Sequence, residues 1–426
     1  MKKKIENFAK VISGYAFKST DFGKVGVPVI KIKNIGREKV VFDDLQSVNV
    51  EYKQKLNEKY QVNYGDILIS LTGSHINQPN SVVGRVARFT KKSTFLLNQR
   101  AGKFLITDET LINSRYLYYI LIQDTMREKI ANFAHGAANQ ANISPSQIES
   151  IEIDIHNLTE QEQIAFILSR YDDLIENNVH RIELLESMVK LIYDEWFVKF
   201  KFPGYKHVKM VDSGTDFGEI PEDWEVKRIE DFGEIITGKT PPTKEPENYG
   251  NYMYFIKTPD MHYNIFCIHT EQKLSEKGVD TQKNKTLPPN SIIVSCIGTI
   301  GVVSITTYQS QTNQQINALK LRDVSYLEYM YFTFKGLKEH LENLGSTGAT
   351  MGNVNKEKFQ LIKILSPSNE IIYNFSQVVS SMFEEIKNLQ IKNQNLSQTR
   401  DLLLPKLISG EIDVSSFNIK IPTEDT

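Results

Sequence analysis

The stretch Ile5-Glu6-Asn7-Phe8-Ala9-Lys10-Val11-Ile12-Ser13-Gly14 recurs 224 residues later as Ile229-Glu230-Asp231-Phe232-Gly233-Glu234-Ile235-Ile236-Thr237-Gly238. Working outward, Gly65–Gly73 (GDILISLTG) recurs loosely as Asn290–Gly298 (NSIIVSCIG), both turn–strand–turn patterns rich in β-branched residues. Asn98-Gln99 returns as Asn313-Gln314, and Tyr116-Leu117-x-Tyr119 as Tyr326-Leu327-x-Tyr329. Gly136…Asn142-Ile143…Ile148 returns as Thr347…Asn353-Val354…Phe359. The offset falls to 210 along the way, so the second copy has the shorter middle. A period above 200 residues is too long for a solenoid and marks a duplicated domain.

Each copy ends in a long helical pattern. Thr159-Glu-Gln-Glu162 reads as a capping box, with hydroxyl and carboxylate bonding the orphan N–H groups of a helix start. Behind it, core-type positions step by four and three: Ile164, Leu168, Tyr171, Ile175, Asn178, Ile182, Leu185, Val189, Ile192 and Trp196. The second copy gives Phe375, Val379, Met382, Ile386, Leu389, Asn393, Leu396, Arg400, Leu403 and Leu407. A 3.5-residue period held this long is a coiled-coil seam, although a single stripe also fits a core-facing helix. The first helix leaves domain one for domain two and the second starts at domain two, which predicts an antiparallel pair. With full overlap Ile164 faces Leu407, Tyr171 faces Arg400 and Asn178 faces Asn393. Those two asparagines are the amides of the seam, and paired they fix register where one alone would be an unsatisfied buried group. About 38 residues at 1.5 Å each make a rod of roughly 57 Å. Pro405 predicts a kink or an end in the second helix, and Gly410 suits its C-terminal stop.

The expected fold is therefore two α/β (α+β) domains in a pseudo-twofold repeat, separated by a long antiparallel two-helix coiled coil. The segments are a first domain over 1–156, helix one over 157–201, a linker over 202–221, a second domain over 222–366, helix two over 367–410 and a tail over 411–426. The net charge of −2 hides an uneven distribution. Residues 1–155 carry 22 Lys/Arg against 15 Asp/Glu, whereas 222–366 are near balance and both helical segments are acidic. Nothing reads as a signal peptide or membrane span, and two cysteines, Cys267 and Cys296, give no disulfide framework. A cytoplasmic protein is expected. Cys267-Ile-His269 is half a metal site with no second pair, so no metal is expected.

Further residues resemble a known family. Ile220-Pro-Glu-Asp-Trp224-Glu-Val opens the second domain, Gly238-Lys-Thr-Pro241 follows, Asp194-Glu-Trp-Phe197 closes the first long helix, and Leu402-Leu-Leu-Pro405-Lys-Leu-Ile-Ser-Gly410-Glu-Ile closes the second. With the duplicated layout, these resemble the specificity subunit (HsdS) of type I restriction–modification systems over nearly the whole chain. Copy one lacks an equivalent of Pro221-Glu-Asp-Trp224. The resemblance implies two target recognition domains, each reading half of a split double-stranded DNA site, asymmetric because the domains differ. It also implies helices that act as a spacer and dock two modification (methyltransferase) subunits, and two restriction (translocase/nuclease) subunits completing the complex. The chain itself would be non-catalytic and carry no cofactor. S-adenosylmethionine would sit on the methyltransferase partner, and ATP and Mg on the restriction partner. A specificity subunit of a methyltransferase-only or other defence complex, or a coiled-coil protein-binding scaffold, are the alternative readings.

The residues also speak against catalysis here. Gly233-Glu-Ile-Ile-Thr-Gly238-Lys239-Thr240 satisfies the pattern of a phosphate-binding loop, but prolines 241, 242 and 246 follow where a helix must begin. The other copy has no Gly-Lys at all. Pro241-Pro242 and Pro288-Pro289 lack the flanking residues of a methyltransferase loop. DNA contact instead calls for loops with Lys/Arg for phosphates and Arg, Asn or Gln for base edges. Copy one offers Lys31, Lys33 and Asn34; Thr72, Ser74 and His75; Asn98, Gln99 and Arg100; and Asn139, Gln140 and Asn142 within the run from His135. Copy two offers Lys257, Thr258, Thr299, Asn313, Gln314, Gln315, Thr350 and Asn353. The repeated Asn-Gln pair fits a turn that bonds its own backbone equally well.

Overall fold

The repeated opening stretch forms the same strand twice. Ala9–Ser13 lies at the edge of a five-stranded sheet, followed in order by Ala101–Ile106, Ile67–Ser70, Val86–Arg88 and Glu38–Lys39. Gly233–Thr237 starts a sheet that continues with Ile316–Leu321, Ile292–Ser295, Val303–Thr306 and Phe266–Cys267. Both sheets are antiparallel until their last pair, which is parallel in each. The duplication read from residues is thus a duplication of topology. The computed structural model describes residues 1–74, 81–137, 140–262, 264–346 and 352–415, and of 135–137 and 140 only the backbone.

These sheets belong to two compact units, one of Met1–Glu176 with the segment from Leu396, the other of Asn177–Asn395. The division cuts both long helices, because each domain core takes helix residues as its own. In the first unit, Ile164, Leu168, Leu404 and Leu407 join Ile5, Phe8, Ile67, Tyr116 and Tyr119 in one buried cluster. In the second, Val189, Phe375, Val379 and Ile386 pack with Ile229, Ile292, Tyr329 and Phe359. Strands Ile67–Ser70 and Ile292–Ser295 are buried at every residue, which is why they read as continuous apolar runs rather than alternating ones.

The shorter middle of copy two has a structural counterpart. The first unit carries a second five-stranded sheet, Phe22–Gly23, Gln46–Val48, Val27–Ile30, Phe95–Leu97 and Gln61–Val62. The second unit keeps only the central part of this layout, Gln272–Leu274, Tyr249–Ile256 and Ser310–Thr312.

The long helices run over Leu158–Tyr193 and Asn369–Ile408, shorter than the segments 157–201 and 367–410. The first ends in a π-helical turn, Asp194–Val198, that turns Phe197 onto Tyr329, Phe375 and Trp224. Two of the sequence signatures, Asp194–Phe197 and Pro221–Trp224, therefore meet in one aromatic cluster. The capping box is not the expected one. Glu160 N donates to Asn157 Oδ1 at 3.0 Å and Asn157 N to Glu160 Oε2 at 3.3 Å, two residues earlier than Thr159–Glu162. Asn157 wins because buried Gln161 ties this turn to Asn113 N and Leu111 O of the recognition domain. Pro405 does not end the second helix, which continues to Ile408. The stop comes at Gly410, in the left-handed region at φ 77°.

In the second unit, Asn178 Nδ2 donates to Asn393 Oδ1 at 2.8 Å, the pairing that the seam spacing gives. Arg181 meets Glu385 at 2.7 Å on the same two helices. In the first unit the seam's arginine is buried: Arg400 bonds Asp172 at 2.6 Å and Asp401 at 2.7 Å, and also reaches Glu38 of the sheet edge. Among the described residues no helix is long and apolar enough to cross a membrane.

Candidate nucleic-acid interface

Five backbone hydrogen bonds tie loops to one end of the first unit's sheets, and the same five recur in the second. Gly14 N and Tyr15 N donate to Ala101 O and Leu97 O at 2.9 and 2.8 Å; Gly238 N and Lys239 N donate to Ile316 O and Thr312 O at 3.1 and 2.9 Å. Asn98 N donates to Ile30 O at 3.0 Å, as Asn313 N does to Ile256 O at 3.1 Å. Leu71 N donates to Arg100 O at 3.0 Å and Ile143 N to Leu71 O at 2.9 Å; their counterparts are Cys296 N to Gln315 O at 2.7 Å and Val354 N to Cys296 O at 2.9 Å. The loops around residues 14, 30, 71, 98 and 142 thus converge in one unit, and those around 238, 256, 297, 313 and 353 in the other. The close approach requires glycine: a Cβ on Gly14 would stand 2.3 Å from Leu97 O, and one on Gly238 2.2 Å from Asn313 O.

This convergence sorts the candidate residues by direction. Asn34 is 1% exposed and its side chain bonds Lys31 N, Val41 O and Asp43 O, so it is a turn residue and not a surface contact. Asn98 and Asn313 are buried and accept from Arg100 N and Gln315 N, which resolves the repeated pair: the asparagine builds the turn. Gln99 and Gln314 beside them are exposed. Thr72 and Thr258 are buried as well, in a strand and at a 3₁₀ turn. Ser74 and Gln315 are half-buried; Lys33, Arg100, Asn142, Thr299 and Asn353 are exposed. Asn142 pairs with Thr72, and Asn353 bridges Ile297, at equivalent places. His75, Asn139 and Thr350 lie outside the described residues, as does the side chain of Gln140.

Two glutamines belong with this set, and sequence reasoning missed them. Lys31 Nζ bonds Gln46 Oε1, and Lys257 Nζ bonds Gln272 Oε1 at 2.6 Å. The geometry is the same in both units. Gln46 faces Val29 across a strand pair and Gln272 faces Phe255, each two residues before its lysine. Each lysine's N–H is capped three residues on, by Asn34 Oδ1 at 3.0 Å and Asp260 Oδ2 at 2.8 Å. Each ammonium also stands over a ring, Lys31 over Phe22 at 3.6 Å and Lys257 over Phe255 at 5.8 Å. Burial first, then the Lys33 charge, hold the Lys31 ammonium below the usual lysine range. Because the lysine occupies the amide oxygen, the glutamine's two N–H donors point to other partners. The signal was available, since each glutamine follows its lysine by 15 residues.

The phosphate-loop pattern has another explanation. Gly233–Thr237 is an extended strand paired along its length with Ile316–Leu321, so its backbone does not wrap around an anion. Cys267 and Cys296 are buried, and burial pushes both thiols up to about 12. Among the described residues no three His, Cys, Asp or Glu side chains group as metal ligands.

Comparison with known proteins agrees with this layout. Residues 1–187 and 221–398 each match the type I restriction modification DNA specificity domain. The chain is 29% identical to the type I restriction enzyme HindI specificity subunit of Haemophilus influenzae, covering 82% of this chain and 94% of that one. It is 29% identical to the MjaIX specificity subunit of Methanocaldococcus jannaschii over 94% and 97% of the two chains. The crystal structure of a type I restriction–modification S subunit from M. genitalium superposes with a TM-score of 0.56 at 18% identity, covering 96% and 95%, and shares the fold. With the domain matched twice across most of its length, the chain belongs to the family of type I restriction–modification DNA specificity subunits.

Proposed function

We propose that the two loop-bearing sheet ends each read one half of an asymmetric, bipartite double-stranded DNA site. The observation that carries this is the repeated loop convergence, which presents Lys31, Gln46, Gln99, Arg100 and Asn142 in one unit and Lys257, Gln272, Thr299, Gln314, Gln315 and Asn353 in the other. These side chains suit phosphates and base edges. The chain is non-catalytic and works in the cytoplasm. The recognition domains span 1–156 and 222–366, and segments 157–201 and 367–410 act as an antiparallel coiled-coil spacer with Asn178 and Asn393 setting register.

Two methyltransferase subunits supply S-adenosylmethionine, and two restriction subunits supply ATP-driven translocation and cleavage. Docking of a protein partner is supported by Leu184, Met188 and Leu191. They are 52%, 49% and 66% exposed on one face of the first long helix, beside the seam. The test is to express this chain with its methyltransferase in a host free of other methylation and to sequence the modified bases. Two short motifs separated by a fixed gap are expected; one continuous motif, or none, refutes the reading.

A further inference from the structure

Two of the glutamines at the loop-bearing ends are held in one orientation by a neighbour. Lys31 follows Ile30, whose carbonyl takes the Asn98 N–H at 3.0 Å, and Lys257 follows Ile256, whose carbonyl takes that of Asn313 at 3.1 Å. Both lysines therefore start from the loop convergence itself. Across each strand pair Gln46 faces Val29 and Gln272 faces Phe255. That register makes each glutamine the diagonal neighbour of its lysine on one face. Lys31 Nζ donates to Gln46 Oε1, and Lys257 Nζ to Gln272 Oε1 at 2.6 Å.

The bond sets which end of the amide is on offer. An ammonium has donors and no acceptor, so each glutamine turns its oxygen to the lysine and its NH2 group away. Both glutamines are exposed, and among the described residues no protein acceptor takes either NH2 group. A bidentate contact to adenine needs a glutamine that donates and accepts at once, and here the lysine already occupies the oxygen. What is left is a pair of N–H donors beside a cation, which suits an anionic oxygen. The acids close in sequence are engaged. Asp44, which acts on Lys31 by its charge, is bonded by Lys33. The two carboxylate oxygens of Asp260 take the backbone N–H groups of Glu271 at 3.0 Å and Lys257 at 2.8 Å.

We propose that Lys31 with Gln46, and Lys257 with Gln272, each clamp one phosphate of the DNA backbone, fixing the register of their reader without choosing a base. This rests on the DNA-reading assignment above. The pair recurs although the sheets that carry it differ, five strands against three, and although Arg100 is replaced by Gln315 at the neighbouring turn. A contact common to two readers of different sequences suits what those sequences share, and phosphate contacts position without specifying.

The test uses the full chain in its methyltransferase complex. Gln46→Glu and Gln272→Glu keep the shape of the side chain and give each lysine an ion-pair partner, while the donors and the free positive charge are lost. Salt dependence of DNA binding is measured for the parent, both single variants and the double variant, each checked for folding by circular dichroism. Each lost phosphate contact should lower the log–log slope by about 0.9, so the double variant should lose about 1.8. Lys31→Met with Lys257→Met should lower the slope as the double glutamate variant does. The bases of the methylated motif should stay the same. In parallel, a neutral methylphosphonate is moved along the DNA backbone. One position at each half-site should weaken binding by the parent; Gln46→Glu should erase only the first of these sensitivities and Gln272→Glu only the second. A changed base in the motif of either variant overturns the inference, because the pair then reads sequence. An unchanged slope, or a sensitivity map identical to that of the parent, overturns it too. If the parent itself shows no salt-dependent, sequence-specific binding, the DNA-reading assignment fails first and this inference falls with it.

Discussion

Replacing one asparagine of the seam should cost more than replacing both. Asn178 is 2% exposed and its amide donates to Asn393 Oδ1 at 2.8 Å, whereas Asn393 is only half-buried. Asn393→Leu leaves the buried Asn178 amide unpaired, a loss of about 1–3 kcal/mol. Asn178→Leu leaves Asn393 facing a leucine, but water reaches it, so the cost should fall toward 1 kcal/mol or below. The double leucine variant removes both polar groups, restores an apolar seam, and should be near neutral or stabilising. The coupling energy of the cycle is then on the order of 1–3 kcal/mol, well above the few tenths by which independent sites deviate from additivity. Urea unfolding of the full chain, followed by circular dichroism for the parent and three variants, reads this directly. Additive single effects would refute the pairing argument. Equal single costs would refute the burial argument behind the asymmetry.

Arg400→Met should destabilise the first unit by about 3–5 kcal/mol, since it strands the Asp172 and Glu38 carboxylates around a buried site; loss of amide protection in residues 1–176 is the measurement. Glu328 is 6% exposed and burial pushes its carboxyl up to about 7. A carboxyl whose folded value is raised binds more protons folded than unfolded, so its contribution to stability is lost as pH rises from about 4.5 to about 7. Glu328→Gln should therefore stabilise the fold at pH 8, by at most on the order of 3 kcal/mol, which a raised melting temperature reads, and make little difference at pH 4; equal effects at both would contradict this. Leu184→Asp with Leu191→Asp should abolish co-purification with the methyltransferase while leaving the melting temperature unchanged. Arg100→Gln should shift one base of the first half-site from guanine towards adenine in the methylated motif, and leave the second half-site as it was.

Features that depend on local period were legible in the sequence. The repeat and its strands follow from spacing, and the four-and-three step of the two helices set Asn178 opposite Asn393, the contact that is found at 2.8 Å. Direction of a polar side chain was not legible. Asn34, Asn98 and Asn313 have the chemistry of base readers, yet each turns inward to bond its own loop. The helix start was ambiguous for a related reason: Asn157…Glu160 and Thr159…Glu162 both satisfy the capping pattern, and the choice is made by Gln161 docking on Asn113 and Leu111. Gln46 and Gln272 were harder to read: the 15-residue spacing from Lys31 and Lys257 is in the sequence, but strand register is what brings each glutamine to its lysine.

What the two copies share and where they part divides the interface by task. Lys31 with Gln46 and Lys257 with Gln272 share the lysine–glutamine bond and the strand register that makes it, although the caps differ, Asn34 and Asp260, and the rings, Phe22 and Phe255, come from different positions. A lysine–glutamine pair that recurs in two readers of different half-sites is poorly placed to tell those half-sites apart, and it suits the sugar–phosphate backbone, which both halves present alike. The position after Gln99 behaves in the opposite way. Arg100 and Gln315 accept equivalent backbone bonds through their carbonyls, from Leu71 N and Cys296 N, yet Arg100 is exposed with a fork that suits guanine, while Gln315 is half-buried and its Oε1 accepts from Asn313 Nδ2. Under the proposed function, the shared residues suit holding the DNA, and the exchange of Arg100 for Gln315 is where discrimination between the half-sites is to be tested.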